Sequence, residues 1–259
     1  MDQILNKLKA EDVRFSYEDG GEILKGVGIE IESSTILGII GPNGSGKTTF
    51  MKCLNRLLTP DAGAVYLNSD DIKHISRKKI AQTLGYVPQS SQKDMSSPNV
   101  YSVVMMGRRP YMSWQFTEKD DEVVWKIMES LDIAHLASHS FDGLSSGQTQ
   151  RVLIARAIAQ EAKIFLLDEP TSNLDIRYQM EVMNLVTDIV RKKGVSVCAI
   201  IHDLDLAMRF CNRIVMMYDG HIVAAGAPAE VLTPENIKAV YGVDAAIEHS
   251  YGRDRIIIL

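Results

Sequence analysis

One stretch of the chain combines glycines, a lysine and a threonine at the spacing of a phosphate-binding loop. Its residues are Gly41, Pro42, Asn43, Gly44, Ser45, Gly46, Lys47 and Thr48, the pattern G-x-x-x-x-G-K-[ST]. Glycine backbones turn successive N–H groups toward one anion, and a helix that follows adds the positive end of its dipole. The Lys47 ammonium is long enough to reach β- and γ-phosphates, and the Thr48 hydroxyl is a suitable Mg²⁺ ligand. We therefore predict that this loop, extended by Thr49, binds ATP together with Mg²⁺.

Two adjacent carboxylates form a second chemical group. Asp168 and Glu169 directly follow the apolar run at 163–167, which has the composition of a buried strand. In an open α/β sheet, ligands bind at the carboxyl ends of the strands, so both acids are expected to point toward the phosphates. We predict that Asp168 binds Mg²⁺ and that Glu169 orients or deprotonates the attacking water. The alternative is a strand end that carries two solvated acids.

The elements around these residues alternate between strand and helix. Apolar runs and periodicity predict strands at 10–17, 23–32, 35–40, 64–67, 163–167, 195–201, 213–218, 221–225 and 255–259. Helical spacing is found at 46–58, 100–106, 118–131, 148–160, 176–192, 204–210 and 234–241. This alternation predicts an α/β fold. The segment from about 92 to 143, rich in Met, Ser and charge, is predicted to be a helical insertion.

A pentad between the two chemical groups indicates a family. Its residues are Leu144, Ser145, Ser146, Gly147 and Gln148, and they resemble the LSGGQ signature of the ABC (ATP-binding cassette) ATPases. In that family the signature closes over the γ-phosphate that a second subunit holds, so the resemblance implies a head-to-tail homodimer around two ATP molecules. Ser146 stands where Gly is usual. If this position needs a positive φ, Ser146 would cost about 1 kcal/mol or more.

Further residues match the family one by one. Tyr17 resembles the aromatic that stacks on adenine, although a tyrosine in the core at a strand end is the alternative. Gln89 resembles the glutamine that contacts Mg²⁺ and water before the insertion, and His202 resembles the histidine that contacts the γ-phosphate. A loop that meets the partner subunit is matched by Ser172, Asn173, Leu174 and Asp175. Asp175 is also expected to cap the helix that follows it.

The resemblance implies a P-loop NTPase (RecA-like) core with an antiparallel β subdomain and an inserted α-helical subdomain. We predict one domain over 1–259, in which 1–91 and 144–259 form the β subdomain and core and 92–143 forms the helical subdomain. The net charge of −5 argues against a nucleic-acid partner. The three cysteines lack any metal-binding spacing and are expected to be buried free thiols. No signal peptide and no apolar stretch of about 18 residues is evident, so a partner must carry any membrane span.

A weaker, distributed likeness indicates the subtype. The stretches at 101–108 and 230–243 resemble importers of iron–siderophore, haem and cobalamin type. This implies two transmembrane permease subunits, an extracytoplasmic substrate-binding protein and a peripheral position on the cytoplasmic side of the cell membrane. An exporter subunit and a soluble ABC ATPase are the alternatives. A docking surface or a helix–helix core is expected at Met105, Met106, Tyr111, Met112 and Trp114.

Overall fold

The computed structural model describes residues 7–18, 20–89, 98–250 and 252–259. The first sheet is antiparallel and has the strand order β2-β1-β4-β5. Its strands are β1 (Leu8–Ser16), β2 (Glu22–Ile31), β4 (Ala62–Leu67) and β5 (Asp70–Asp71). Buried and less buried residues alternate along the second half of β2, as expected of a sheet with one face against the core.

The second sheet has six strands and positions the two chemical groups. Its order is β10-β9-β3-β8-β7-β6, parallel except for the antiparallel edge strand β10. The strands are β3 (Ile36–Ile40), β6 (Leu84–Val87), β7 (Ile164–Leu167), β8 (Ser196–Ile200), β9 (Arg213–Tyr218) and β10 (His221–Gly226). Strands β3, β7 and β8 are buried along their whole length, which explains why their sequences are apolar without alternation.

Nine α-helices are found in the described ranges. They are α1 (Lys47–Leu54), α2 (Arg77–Thr83), α3 (Val100–Met105), α4 (Glu118–Ser130), α5 (Ser146–Ala159), α6 (Ile176–Lys193), α7 (Leu204–Phe210), α8 (Pro228–Val231) and α9 (Pro234–Tyr241). A hairpin of β11 (Ala245–Ser250) and β12 (Arg253–Ile258) follows them. Within the part of the chain that the structure describes, no helix is long and apolar enough to cross a membrane.

The core has two parts, on opposite faces of the six-stranded sheet. On β8, Val197 and Ala199 pack against the helices of one side, whereas Cys198 and Ile200 pack toward α1 and the antiparallel sheet. The fold therefore has three layers, with the parallel sheet in the middle. All three cysteines are buried free thiols, which confirms that prediction.

The helical stretch from α3 to α4 is joined to α5 by the buried Arg108 guanidinium. Arg108 lies in the 3₁₀ turn Met106–Tyr111, and its guanidinium donates to Asp120 at 2.9 Å and to the carbonyl of Ala159 at 2.7 Å. Arg108 and Asp120 are 4% and 6% exposed. The division into subdomains at 91/92 lies outside the described residues and stays a prediction.

Some predicted elements were wrong in extent or missing. The helix expected over 46–58 ends at Leu54, and the final strand begins at Arg253, two residues before its predicted start. Five elements were missed altogether: β5, α2, β6, α8 and β11. Strand β6 has only four residues and includes Gly85, where a Cβ would lie 2.9 Å from the ring of Phe165. So short a strand has too few residues for periodicity to reveal it.

Candidate nucleotide site

The phosphate-type loop connects the buried strand β3 to α1, and two of its glycines are required by their surroundings. Gly41 has φ 145° and a Cβ there would lie 2.1 Å from the carbonyl oxygen of Met217. Gly46 has φ 96° and caps α1, close to Leu24 of β2. No side chain caps α1, so the first backbone N–H groups of this helix point into the loop without a protein acceptor from a capping residue. This is the arrangement that binds phosphate.

The Lys47 side chain is buried inside the loop. Its ammonium donates to the carbonyl oxygens of Gly41 at 2.8 Å and Pro42 at 2.7 Å. Burial lowers the pKa of Lys47, and the charges of Glu169 and Asp168 oppose that effect only in part. A buried ammonium of this kind is stabilised further by an anion placed beside it, as a nucleotide phosphate would be.

Asp168 lies at the end of β7 and is 1% exposed. Thr48 donates to its Oδ1 at 3.1 Å, and the Tyr86 hydroxyl donates to its Oδ2 at 3.1 Å. Burial raises the pKa of Asp168, while these two hydrogen bonds lower it again in part. The donor set fits Mg²⁺, which prefers hard oxygen ligands and takes few of them from the protein when phosphates supply the others. In the described ranges no group of three or more His, Cys, Asp or Glu residues forms a metal cage.

Three of the predicted residues meet at one carboxylate. Glu169 accepts a hydrogen bond from the Gln89 side-chain amide at Oε2, and its Oε1 lies 2.6 Å from His202 Nε2. Glu169 has φ 53°, an uncommon conformation for a residue that is not glycine. The strand order β8-β7-β6 explains the meeting, because the three residues follow the carboxyl ends of three adjacent strands.

A cavity of about 240 Å³ lies over the loop. It is lined by Tyr17, Ile23, Asn43, Gly44, Gly46, Lys47, Thr48, Thr49 and Glu169. The Tyr17 side chain is 46% exposed, contacts Phe15 edge-on at 4.9 Å and has its hydroxyl 3.3 Å from Thr49 Oγ1. Its ring therefore lies at the cavity rather than in the core, and adenine stacking by Tyr17 stays a prediction.

The signature pentad forms the start of α5. Ser145 caps this helix, and its hydroxyl and the Gln148 side chain bond each other's backbone N–H groups at 3.3 and 3.0 Å. The helix begins at Ser146, two residues earlier than predicted. Ser146 is its first residue and has no positive φ, so the expected strain does not arise. A Cβ at Gly147 would lie 2.9 Å from the Tyr178 ring, which explains the glycine at that position.

The signature lies apart from the phosphate-type loop of the same chain. It lines a separate cavity of about 320 Å³ together with Gln89 and the loop after Glu169. The members of the pentad and loop found there are Leu144, Ser146, Ser172, Asn173 and Leu174. Asp175 caps α6 by accepting a hydrogen bond from the Tyr178 N–H at 3.0 Å, as predicted. None of these residues lines the cavity over the loop.

Two residues at the site were missed by the sequence reasoning. Ile23 of β2 lines the cavity beside Tyr17, and Tyr86 of β6 bonds Asp168. One signal could have pointed to Tyr86, because it lies three residues before Gln89 on the strand that Gln89 follows. That signal required β6 to be recognised first.

The strand, loop and helix, with two acids at the neighbouring strand end, define an α/β protein of the P-loop nucleotide-binding class. A family model described as ABC transporter matches residues 24–172. The chain belongs to the ABC transporter family and is one of its ATP-binding chains. The predicted family and fold class are thereby confirmed, and so is nucleotide binding.

Individual relatives extend the likeness over almost the whole chain. An uncharacterized ABC transporter ATP-binding protein of Methanocaldococcus jannaschii is 39% identical over 245 residues, 95% of each chain. The ferric enterobactin transport ATP-binding protein of Escherichia coli is 36% identical over 249 residues, 95% of this chain and 91% of that one. Among solved structures, a putative metal-chelate type ABC transporter in an inward-facing conformation has a TM-score of 0.85 and 26% identity. The alignment covers 98% of this chain and 97% of that one.

Proposed function

We propose that two copies of this chain hydrolyse ATP between them and thereby drive uptake of a metal chelate through a membrane permease. The observation that carries the catalytic part is the Glu169 carboxylate, held between Gln89 and His202 beside the cavity over the loop. A carboxylate fixed by two neighbours at the site of the γ-phosphate is suited to aligning a water molecule.

In the proposed reaction the water oxygen attacks the γ-phosphorus, the bond to the bridging oxygen breaks, and ADP and phosphate form. Glu169 orients the water and accepts its proton at a carboxylate oxygen. Lys47 and His202 balance negative charge on the γ-phosphate. Thr48 and Asp168, with Gln89, would hold Mg²⁺, which supplies further positive charge to the phosphate oxygens when bound.

The position of the signature supports a head-to-tail dimer. Ser145 and Gly147 lie at the start of α5, whose N-terminal dipole and N–H groups suit an anion. In one chain their neighbours Leu144 and Ser146 line a different cavity from the one over the phosphate-type loop. We propose that the signature of the second copy completes the site over the bound ATP, with Asn173 and its neighbours at the contact.

A cleft of about 490 Å³ supports a permease as partner. Its lining comprises Asn55, Arg56, Leu57, Arg77, Ile80, Ala81, Leu84, Tyr86, Met106, Gly107, Arg156 and Gln160, with three arginines and no acidic residue. Leu57 and Met106 are 57% and 46% exposed. Arg156 has no hydrogen-bond or ion-pair partner in the described ranges, and burial lowers its pKa. We propose that a permease segment with apolar side chains and a carboxylate docks here.

The methionine and aromatic residues that were predicted to form a docking surface or a helix–helix core differ in their exposure to solvent. Met105 is 6% exposed and belongs to the core. Met106, Tyr111 and Trp114 are exposed, Trp114 to 97%, and lie on the surface of the helical stretch. The core alternative therefore applies to Met105, while the exposed members extend the proposed docking surface.

The names of the relatives support a proposal for the cargo and the remaining partners. The Escherichia coli protein named above serves ferric enterobactin transport, and the solved structure is of metal-chelate type. We propose an iron–siderophore, haem, cobalamin or similar metal chelate as cargo. An extracytoplasmic substrate-binding protein would deliver it, and the chain would be peripheral on the cytoplasmic side of the cell membrane.

Reconstitution tests this proposal. The chain and its copurified permease are placed in liposomes, and ATP-dependent movement of labelled ferric siderophore, hemin and cobalamin is followed. We expect movement of one of these cargoes toward the side that carries the ATPase. Movement away from that side would identify an exporter and contradict the proposal.

Two variants test the catalytic part and the permease-docking part of this proposal separately. Glu169→Gln should bind ATP and dimerise but lose at least about 100-fold in turnover, since a general base typically contributes 10²–10⁴. Arg156→Glu should keep ATP binding and lose permease binding, while Arg191→Glu on the exposed end of α6 should keep both.

A further inference from the structure

Tyr86 lies on the edge strand β6 and joins it to the neighbouring strand end. Its hydroxyl donates to Asp168 Oδ2 at 3.1 Å. The main chain is joined at the same place, because the Asp168 N–H donates to the Val87 carbonyl at 2.8 Å. The end of β7 is therefore held by both the backbone and a side chain of β6.

The two oxygens of Asp168 are held from different sides. Thr48, at the start of α1, donates to Oδ1, whereas Tyr86 donates to Oδ2 from outside the phosphate-type loop. Thr48 is itself a proposed Mg²⁺ ligand, so its hydroxyl is the partner that changes when a metal binds. Tyr86 has no such second role. Its hydrogen bond leaves Oδ1 as the oxygen that faces the loop and the metal.

Asp168 depends on such hydrogen bonds because it is buried without an ion pair. It is 1% exposed, and none of the salt bridges among the described residues involves it. A buried carboxylate is costly unless hydrogen bonds satisfy it.

We propose that Tyr86 is a positioning residue for the magnesium-binding carboxylate, holding Asp168 Oδ2 so that Oδ1 is presented to the metal. The tyrosine ring packs in the wall of the cleft described above, beside Leu84. The hydroxyl is thus anchored by the protein and does not depend on the nucleotide. This inference rests on the proposed magnesium site.

The test compares the affinity for a non-hydrolysable ATP analogue with and without Mg²⁺, measured by isothermal titration calorimetry. The ratio of the two affinities reports the contribution of the metal and requires no turnover. For Tyr86→Phe we expect the metal-free affinity to stay within about twofold of the wild type. The affinity with Mg²⁺ should fall about tenfold, the size expected for one hydrogen bond to a charged group.

Two further variants make each outcome decisive. Tyr101→Phe removes another tyrosine–aspartate hydrogen bond, to Asp121 in the helical stretch, and should change neither affinity. Asp168→Asn should lose the effect of Mg²⁺; a wild-type ratio in that variant would overturn the magnesium site itself. If Asp168→Asn loses the effect and Tyr86→Phe keeps it, the positioning role is overturned. Equal losses with and without metal in Tyr86→Phe would also overturn it, since they would indicate a purely structural role.

Discussion

The buried Arg108 guanidinium pairs with Asp120 and also joins the helical stretch to the end of α5, and replacing Arg108 by methionine tests how much stability it contributes. Arg108 also donates to the Ala159 carbonyl and, at 2.6 Å, to Glu161, and it stacks on the Tyr111 ring at 4.4 Å. Burial by itself would raise the pKa of Asp120, but hydrogen bonds from Thr117 and Arg108 outweigh it and lower that pKa. Without Arg108, the buried Asp120 charge keeps only its bonds to Thr117.

The expected loss in the free energy of unfolding follows from the burial of the Arg108–Asp120 pair. Leaving one partner of a buried ion pair unpaired costs about 3–5 kcal/mol. Glu161 is 54% exposed and can be solvated by water, so we expect the lower end, about 3 kcal/mol. At about 2–4 °C per kcal/mol for a chain of this size, the unfolding midpoint should fall by roughly 6–12 °C.

Urea unfolding and calorimetry of the nucleotide-free protein measure this loss. The matched control is Arg177→Met, whose pair with Glu181 involves an arginine side chain that is 82% exposed and should cost under about 1 kcal/mol. Adding Asp120→Asn to Arg108→Met removes the unpaired charge and keeps a capping side chain for α4, so part of the stability should return. Equal losses for the two arginine variants, or a further loss on adding Asp120→Asn, would refute the reasoning.

Three further predictions concern the site. Lys47→Met should abolish ATP binding yet stabilise the nucleotide-free protein at pH 7, because burial lowers the folded-state pKa of Lys47 and its charged form opposes folding. The stability difference should shrink as the pH rises toward 10.5, and a constant difference would argue against this cause. Gly46→Ala, at φ 96°, should reduce ATP affinity at least about tenfold in a binding titration, since strain of 1–3 kcal/mol falls on the loop; an unchanged affinity would contradict it. Gly147→Ala should impair ATP-driven dimerisation, followed by light scattering, because a Cβ there meets the Tyr178 ring; normal dimerisation would contradict the packing argument.

Local patterns identified the chemical groups well. The loop at 41–48 depends on glycines whose backbone conformations other residues rarely adopt, so the requirement is written in the sequence itself. The acids after β7 and the capping pair Ser145 and Gln148 are also local, because a strand end or a helix start involves only consecutive residues. The elements that were missed are short, and the positions around 90–97 lie outside the described residues.

Long-range contacts were decided by the tertiary structure alone. Gln89, Glu169 and His202 meet because the sheet places β6, β7 and β8 side by side, an order that no local pattern reveals. The same order brings the Tyr86 hydroxyl to Asp168, 82 residues away in the chain. The sequence by itself determined which residues are candidates for the chemistry, since their types and spacing follow from backbone geometry. The tertiary structure decided which of them share a site, because strand order and packing arise from the burial of the whole core.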